Sequence, residues 1–112
     1  MLIRLEDYKC VSWNTLYAGK HWTVRQEMAN YAHQSVQVAL LKLKKIPHFK
    51  KRVTITVTAY LKRPVDPDNV CSKLVIDGLK GKVIDDDTWK DVLSVTTKSI
   101  KSNKEFTEIL IK

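Results

Sequence analysis

The sequence predicts an α+β domain in which two helices pack on a mixed four-stranded sheet, in the order β-α-β-α-β-β. Three observations predict it. From Met28 onward, Ala32, Ser35, Val36, Ala39, Leu40 and Leu43 recur at three- and four-residue steps, the spacing of one helix face. "RVTITVTAYL" alternates Val53, Ile55, Val57 and Ala59 with threonines, the two-residue period of a strand rich in β-branched side chains. "DVLSVTTKSI" and "EFTEILIK" close the chain as two more strands, joined by the turn-like "KSNK".

Residues 2–9 suit a short opening strand, followed by a polar, aromatic loop, "SWNTLYAGKHW". Thr23 suits the N-cap of the long helix, with Gln26 completing a capping box. That helix should run into "KLKKIP", where Pro47 stops it and the lysines favour its negative end. Pro64 and Pro67 break the strand that follows. Asp68 or Asn69 can then cap a second helix over roughly residues 69–80, ended near Gly81. On that helix Asn69, Lys73, Asp77 and Lys80 share a polar face, while Cys71, Leu74, Val75 and Gly78 lie opposite. Parallel and antiparallel connections on one sheet make a mixed architecture the natural outcome.

With 112 residues and no linker or repeat, the chain reads as one domain, residues 1–112. No apolar run approaches the roughly eighteen residues of a membrane span, and "MLIRLEDYK" lacks the apolar stretch of a signal peptide. Two cysteines, Cys10 and Cys71, without zinc spacing point to a reducing cytoplasm as the location. A formal charge of +8 and a pI near 9.6 suit a polyanionic partner, because lysines at phosphates release condensed counterions. Solubility alone also accounts for such a charge.

Against that background, residues 62–92 hold seven aspartates of a total of twelve acidic residues. Like charges repel, so such a cluster calls for a compensating cation or a strongly hydrated surface. Asp66 and Asp68 flank Pro67 on the loop leaving the central strand, and Asp85, Asp86 and Asp87 follow the second helix. If the two loops converge, their carboxylates offer the hard oxygen donors that Mg²⁺ takes, and Lys73 can neutralise charge developing on a phosphodiester. Each part also has an ordinary explanation. Asp68 alone is a helix cap, Asp85–Asp87 a solvated turn, and Lys73 with Asp77 a surface ion pair. An EF-hand loop begun at Asp66 fails, since Val70 and Cys71 fill positions that need a ligand and a glycine. An aspartyl-phosphate mechanism at Asp66 belongs on larger doubly wound domains. There is no Walker loop and no GxGxxG, and the three histidines lack metal or triad spacing.

"DPDN", a lysine, "DGL" and then "DD" before a valine resemble the signature of RusA-type Holliday junction resolvases of phages and prophages. "WNTLYAGKHWTVR" resembles the opening of phage-type members, so the likeness covers most of the chain. The resemblance implies a homodimeric, Mg²⁺-dependent endodeoxyribonuclease, with Mn²⁺ as substitute, that nicks two strands of a four-way DNA junction in a bacterial or phage-infected cytoplasm. Asp66 and Asp68 match the DxDN aspartates, Asp87 the second aspartate of the DD pair, and Lys73 the essential lysine. Asp66, Asp68 and Asp87 would be metal ligands and, with Lys73, the catalytic set. Asn69, Asp77 and Asp86 are additional candidates. Family members often place the lysine one residue nearer the DxDN element. Ser72 holds that place here, and Asp77 shifts in step with Lys73.

Asn14, Tyr17, Lys20, His21, Trp22 and Arg25 gather aromatic and basic side chains that can stack on unpaired bases or grip phosphates, as can Lys62 and Arg63. Trp22 is equally suited to a core, and Arg25 to a helix surface. A protein of another class, a structured-DNA binder with a degenerate metal site, would share all of these features except cleavage.

Overall fold

The computed structural model describes residues 1–19 and 21–112, and Lys20 lies outside the described residues. The α+β expectation holds. Strands β1 (Leu2–Leu5), β2 (Val53–Leu61), β3 (Val92–Lys101) and β4 (Phe106–Ile111) form one mixed sheet, ordered β1-β4-β2-β3. Helices α1 (Trp13–Tyr17), α2 (Trp22–Leu41) and α3 (Lys73–Asp77) accompany it, and a 3-10 turn spans Pro67–Asn69.

The alternation in β2 sorts its side chains as the sequence predicts. Val53, Ile55, Val57, Ala59 and Leu61 are buried on one face, where Ala32, Val36, Ala39 and Leu40 of α2 and Leu74, Val75 and Ile76 of α3 complete the core. Ile3, Leu5, Ile109 and Ile111 extend that core across β1 and β4. Among the described residues, no helix covers the threonine face of β2. There Tyr60 stacks on Phe106 at 4.3 Å and the Arg4 guanidinium lies 3.8 Å above the Phe106 ring. Both cysteines are buried and free, and burial pushes the Cys10 thiol up to about 12 and raises that of Cys71, so neither is a ready nucleophile.

Four local expectations change. The segment read as an aromatic loop contains α1, because Ser12 accepts from the Thr15 amide at 3.0 Å and caps a single turn. The N-cap of α2 is His21, not Thr23: its Nδ1 accepts from the Thr23 amide at 3.3 Å, and Gln26 turns to Asn30 instead of closing a capping box. At the other end α2 stops at Leu41, before the lysine run and Pro47, as the chain tightens with the Leu43 amide on the Leu40 carbonyl. The helix expected over 69–80 is shortened and split. The Cys71 amide donates to the Val11 carbonyl at 3.0 Å, and Val70 forms a bridge with Ser12, so extended backbone separates the 3-10 turn from α3.

"KSNK" does not join neighbouring strands. β3 pairs in parallel with β2, β4 pairs antiparallel with β2 on its other side, and the Ser102 amide donates to Leu61 as the chain crosses the end of β2. The segment between β2 and β3 is therefore a crossover that carries α3 and the aspartate-rich loop over one face of the sheet.

Central burial of β2 sets the expected response to mutation. Ile55→Ala should lower unfolding free energy by about 2–5 kcal/mol in urea titrations, whereas Thr56→Ala, on the open face, should change it by less than about 1 kcal/mol.

Candidate active site

Two short stretches of the crossover carry the charged residues. The first is the Asp66–Asn69 turn. Asp66 begins it with its carbonyl accepting from the Asn69 amide at 2.9 Å, and Pro67 sets its backbone. The turn is anchored from both sides. Thr97 of β3 donates its hydroxyl to the Pro67 carbonyl at 2.6 Å, and Asn69 Oδ1 accepts from the Asn14 amide of α1 at 3.2 Å. Asp66 and Asp68 are exposed, while Asn69 is half-buried.

The second stretch is α3 with the loop that follows it. Leu74, Val75 and Ile76 are buried, which turns Lys73, Asp77 and Lys80 outward as the helical spacing predicts. Lys73 Nζ lies 3.4 Å from Asp77 Oδ1 and 3.8 Å from Asp87 Oδ2. Lys80 Nζ lies 3.5 Å from Asp77, 3.2 Å from Asp87 and 4.0 Å from Asp86. Two ammonium groups thus bind a half-buried pair of carboxylates, and the loop closes further through the Asp87 amide, which donates to Asp86 Oδ1 at 2.8 Å. Partial burial works against the charged form of Asp87. The Lys80 ammonium, the bond with Asp86 and neighbouring Asp77 outweigh it and hold the Asp87 carboxyl below its ordinary value. Its partner responds in the complementary sense: hydrogen bonding to Asp87 raises Lys80.

Asp85 goes elsewhere. His48, on the connection between α2 and β2, places Nε2 2.6 Å from Asp85 Oδ1 and Nδ1 3.1 Å from the Lys82 carbonyl, and the Phe49 amide bonds to Val83. The three consecutive aspartates are therefore divided, Asp85 to His48 and Asp86 with Asp87 to Lys80. Sequence reasoning had not assigned His48 or Lys80 to the site. Lys80 was legible as the i+3 neighbour of Asp77, whereas the His48–Asp85 contact spans residues far apart in the chain and leaves no local signal.

The ion pairs among the described residues gather Lys73, Asp77, Lys80, Asp86 and Asp87 into one network and leave Asp66 and Asp68 outside it. The donor chemistry of these carboxylates suits a hard divalent cation, but their arrangement does not. Among the described residues no group of three acidic, histidine or cysteine side chains converges to hold one, so Asp66, Asp68 and Asp87 do not form an assembled metal centre. Lysine ammonium groups compensate the carboxylates instead.

The aromatic segment lies beside the first stretch. Trp13 stacks on Tyr17 with centroids 6.0 Å apart, Arg25 lies 5.9 Å from the Tyr17 ring, and His21 meets Trp22 at 5.6 Å. Tyr17 and Trp22 are largely exposed, so Trp22 is not a core residue, and Arg25 is half-buried. Lys20 lies outside the described residues. Lys62 and Arg63 are exposed where the chain leaves β2, and the Lys62 amide is held by Glu105 at 3.2 Å. Among the described residues, no helix is long and apolar enough to cross a membrane.

Comparison with protein-family models, with curated proteins and with solved structures finds no match to this chain.

Charge compensation by Lys80 has a measurable signature. In Lys80→Met the Asp87 carboxyl should titrate higher than in the parent protein, read by carboxyl-carbon NMR, and an unchanged midpoint would show that Lys80 does not hold it down. Because the folded value is depressed, the stability contributed by Asp87 is present above 3.8 and is lost as pH falls from there through the lowered value. Acid denaturation of Lys80→Met should therefore show a weaker pH dependence in that window.

Proposed function

We propose that the protein is a structure-selective endodeoxyribonuclease that resolves four-way DNA junctions by paired phosphodiester nicks, with Mg²⁺ as cofactor and a second copy of the chain as partner. The observation that carries the reading is the position of Lys73. It reaches Asp77 at 3.4 Å and Asp87 at 3.8 Å, so the "K", "DGL" and "DD" parts of the resolvase-like signature meet in space although its last part lies on a separate loop. The DxDN part precedes the same helix and is held by Asn14 and Thr97.

The chain's own residues have defined tasks in this reading. Exposed lysines draw the DNA backbone in, and Tyr17, Trp22 and Arg25 contact it beside the DxDN turn. The Lys80 ammonium favours the ionised form of Asp87, and a cation would take the place of its lysine partners. Lys73, exposed and loosely paired, can leave its carboxylates for a phosphate oxygen and stabilise charge that develops there. Asp66, Asp68 and Asp87 would hold magnesium only if the two loops closed on it, and the ion would then supply Lewis-acid chemistry at the phosphodiester.

A second reading, a structured-DNA binder without catalysis, is favoured by one specific observation: the three proposed ligands do not converge among the described residues. The two readings separate in a nicking assay on a synthetic four-way junction with Mg²⁺, Mn²⁺, Ca²⁺ or chelator. The nuclease reading expects cleavage with Mg²⁺ or Mn²⁺, a loss of at least about 100-fold in Asp68→Asn and in Lys73→Ala, and junction binding by Asp68→Asn at least as tight as the parent. A parent protein that grips the junction and leaves it whole with every metal makes it a binder.

A further inference from the structure

The turn that follows the aspartate loop displays a tryptophan that the site above does not use. Trp89 is 72% exposed, and the Arg52 guanidinium lies 5.9 Å from its ring centroid. Both are mounted on firmly bonded backbone. The Thr88 carbonyl accepts from the Asp91 amide at 3.0 Å and the Val92 amide at 2.9 Å, which closes the turn with Trp89 at its tip. The Val53 amide then donates to the Asp91 carbonyl at 2.9 Å, fastening that turn to the start of β2, directly after Arg52. Lys50, Lys51 and Lys90 are also exposed around this point.

A tryptophan whose purpose was packing would be covered. This one leaves most of its indole in water, with an arginine at its ring and further cations on either side along the chain. An aromatic face with adjacent cations matches the two recurring parts of a nucleotide, a base with a π-face and a phosphate. Fully paired DNA hides its base faces in the stack and can use only the cations. Unpaired nucleotides can use both.

We propose that Trp89 and Arg52 form a stacking platform for single-stranded DNA, with a base on the indole and flanking phosphates at Arg52, Lys51 and Lys90. The inference rests on the reading of the protein as a DNA-binding one and adds to it a second place, apart from the Tyr17 and Trp22 segment, that distinguishes unpaired from paired strands. Trp89 and Asp87 share one loop, and Asp87 is tied to α3 by Lys73, so a strand seated on Trp89 is held close along the chain to the carboxylate network.

The test is fluorescence anisotropy in chelator, so that no strand is cut. The probes are a labelled oligothymidylate of about 20 nucleotides, longer than the roughly 4–16 that a small single-strand-binding fold covers, and a blunt duplex of the same length. Trp89→Ala should weaken oligothymidylate binding by about 5- to 100-fold and change duplex binding by less than about 2-fold. Trp89→Phe should recover most of the loss, and Arg52→Gln should weaken both probes. Oligothymidylate should quench indole fluorescence in the parent and much less in Trp89→Ala, which keeps Trp13 and Trp22. Unchanged oligothymidylate affinity in Trp89→Ala overturns the platform, as does equal weakening on both probes. A parent that binds oligothymidylate through Trp89 but never nicks a junction keeps the platform and removes the nuclease. One that binds neither probe at low salt removes both.

Discussion

The burial of one face of β2 is the constraint on which the other features depend. Its five alternating apolar side chains can leave water only if helices cover them, and α2 and α3 do so side by side. Contact between the two helices is close: a methyl group at Gly78 would lie 3.1 Å from the Val36 Cβ, so the small residue lets the end of α3 settle against α2. Once Leu74, Val75 and Ile76 are committed to this contact, Lys73 and Asp77 have only the solvent side left. The charged network is thus the outer surface of a packing solution.

The same packing explains how a cationic protein tolerates a dense group of aspartates. Asp77 and Asp87 are brought together by folding, and their mutual repulsion is offset by Lys73 and Lys80 from the same short helix and its exit. Such pairs are individually weak where solvent reaches them, but the Lys80 ammonium and the bond with Asp86 hold the half-buried Asp87 carboxyl below its ordinary value. The network is therefore stable without an added ion, and a divalent cation would have to displace lysine from Asp87 to bind there. Asp85 takes no part, because His48 draws it towards the connection between α2 and β2. That division sets Asp85 apart from Asp86 and Asp87.

Around this network the molecule presents aromatic and basic groups in two places. In the first, α1 meets the Asp66–Asn69 turn through the Asn14–Asn69 bond and carries Tyr17, whose ring Arg25 approaches, with Trp22 exposed at the start of α2. Trp89 and Arg52 stand at the other end of the crossover, where the turn before β3 is fastened to β2.

The sequence by itself determined the elements whose cause is local. The two-residue alternation of β2, the apolar stripe of α2 and the shared polar face of Lys73, Asp77 and Lys80 are properties of neighbouring residues, and each is present in the fold. Tertiary structure alone decided what depends on distant partners. The Val11–Cys71 bond split a helix that propensity would have continued, and insertion of β2 between β3 and β4 separated two strands that "KSNK" would otherwise have paired. Likewise, the partners of Asp85 and Asp87, and the meeting of Arg52 with Trp89, arise where the crossover returns to the sheet. Periodicity specifies which way a side chain faces along its own element; which charges and rings it meets there is set by how the elements stack.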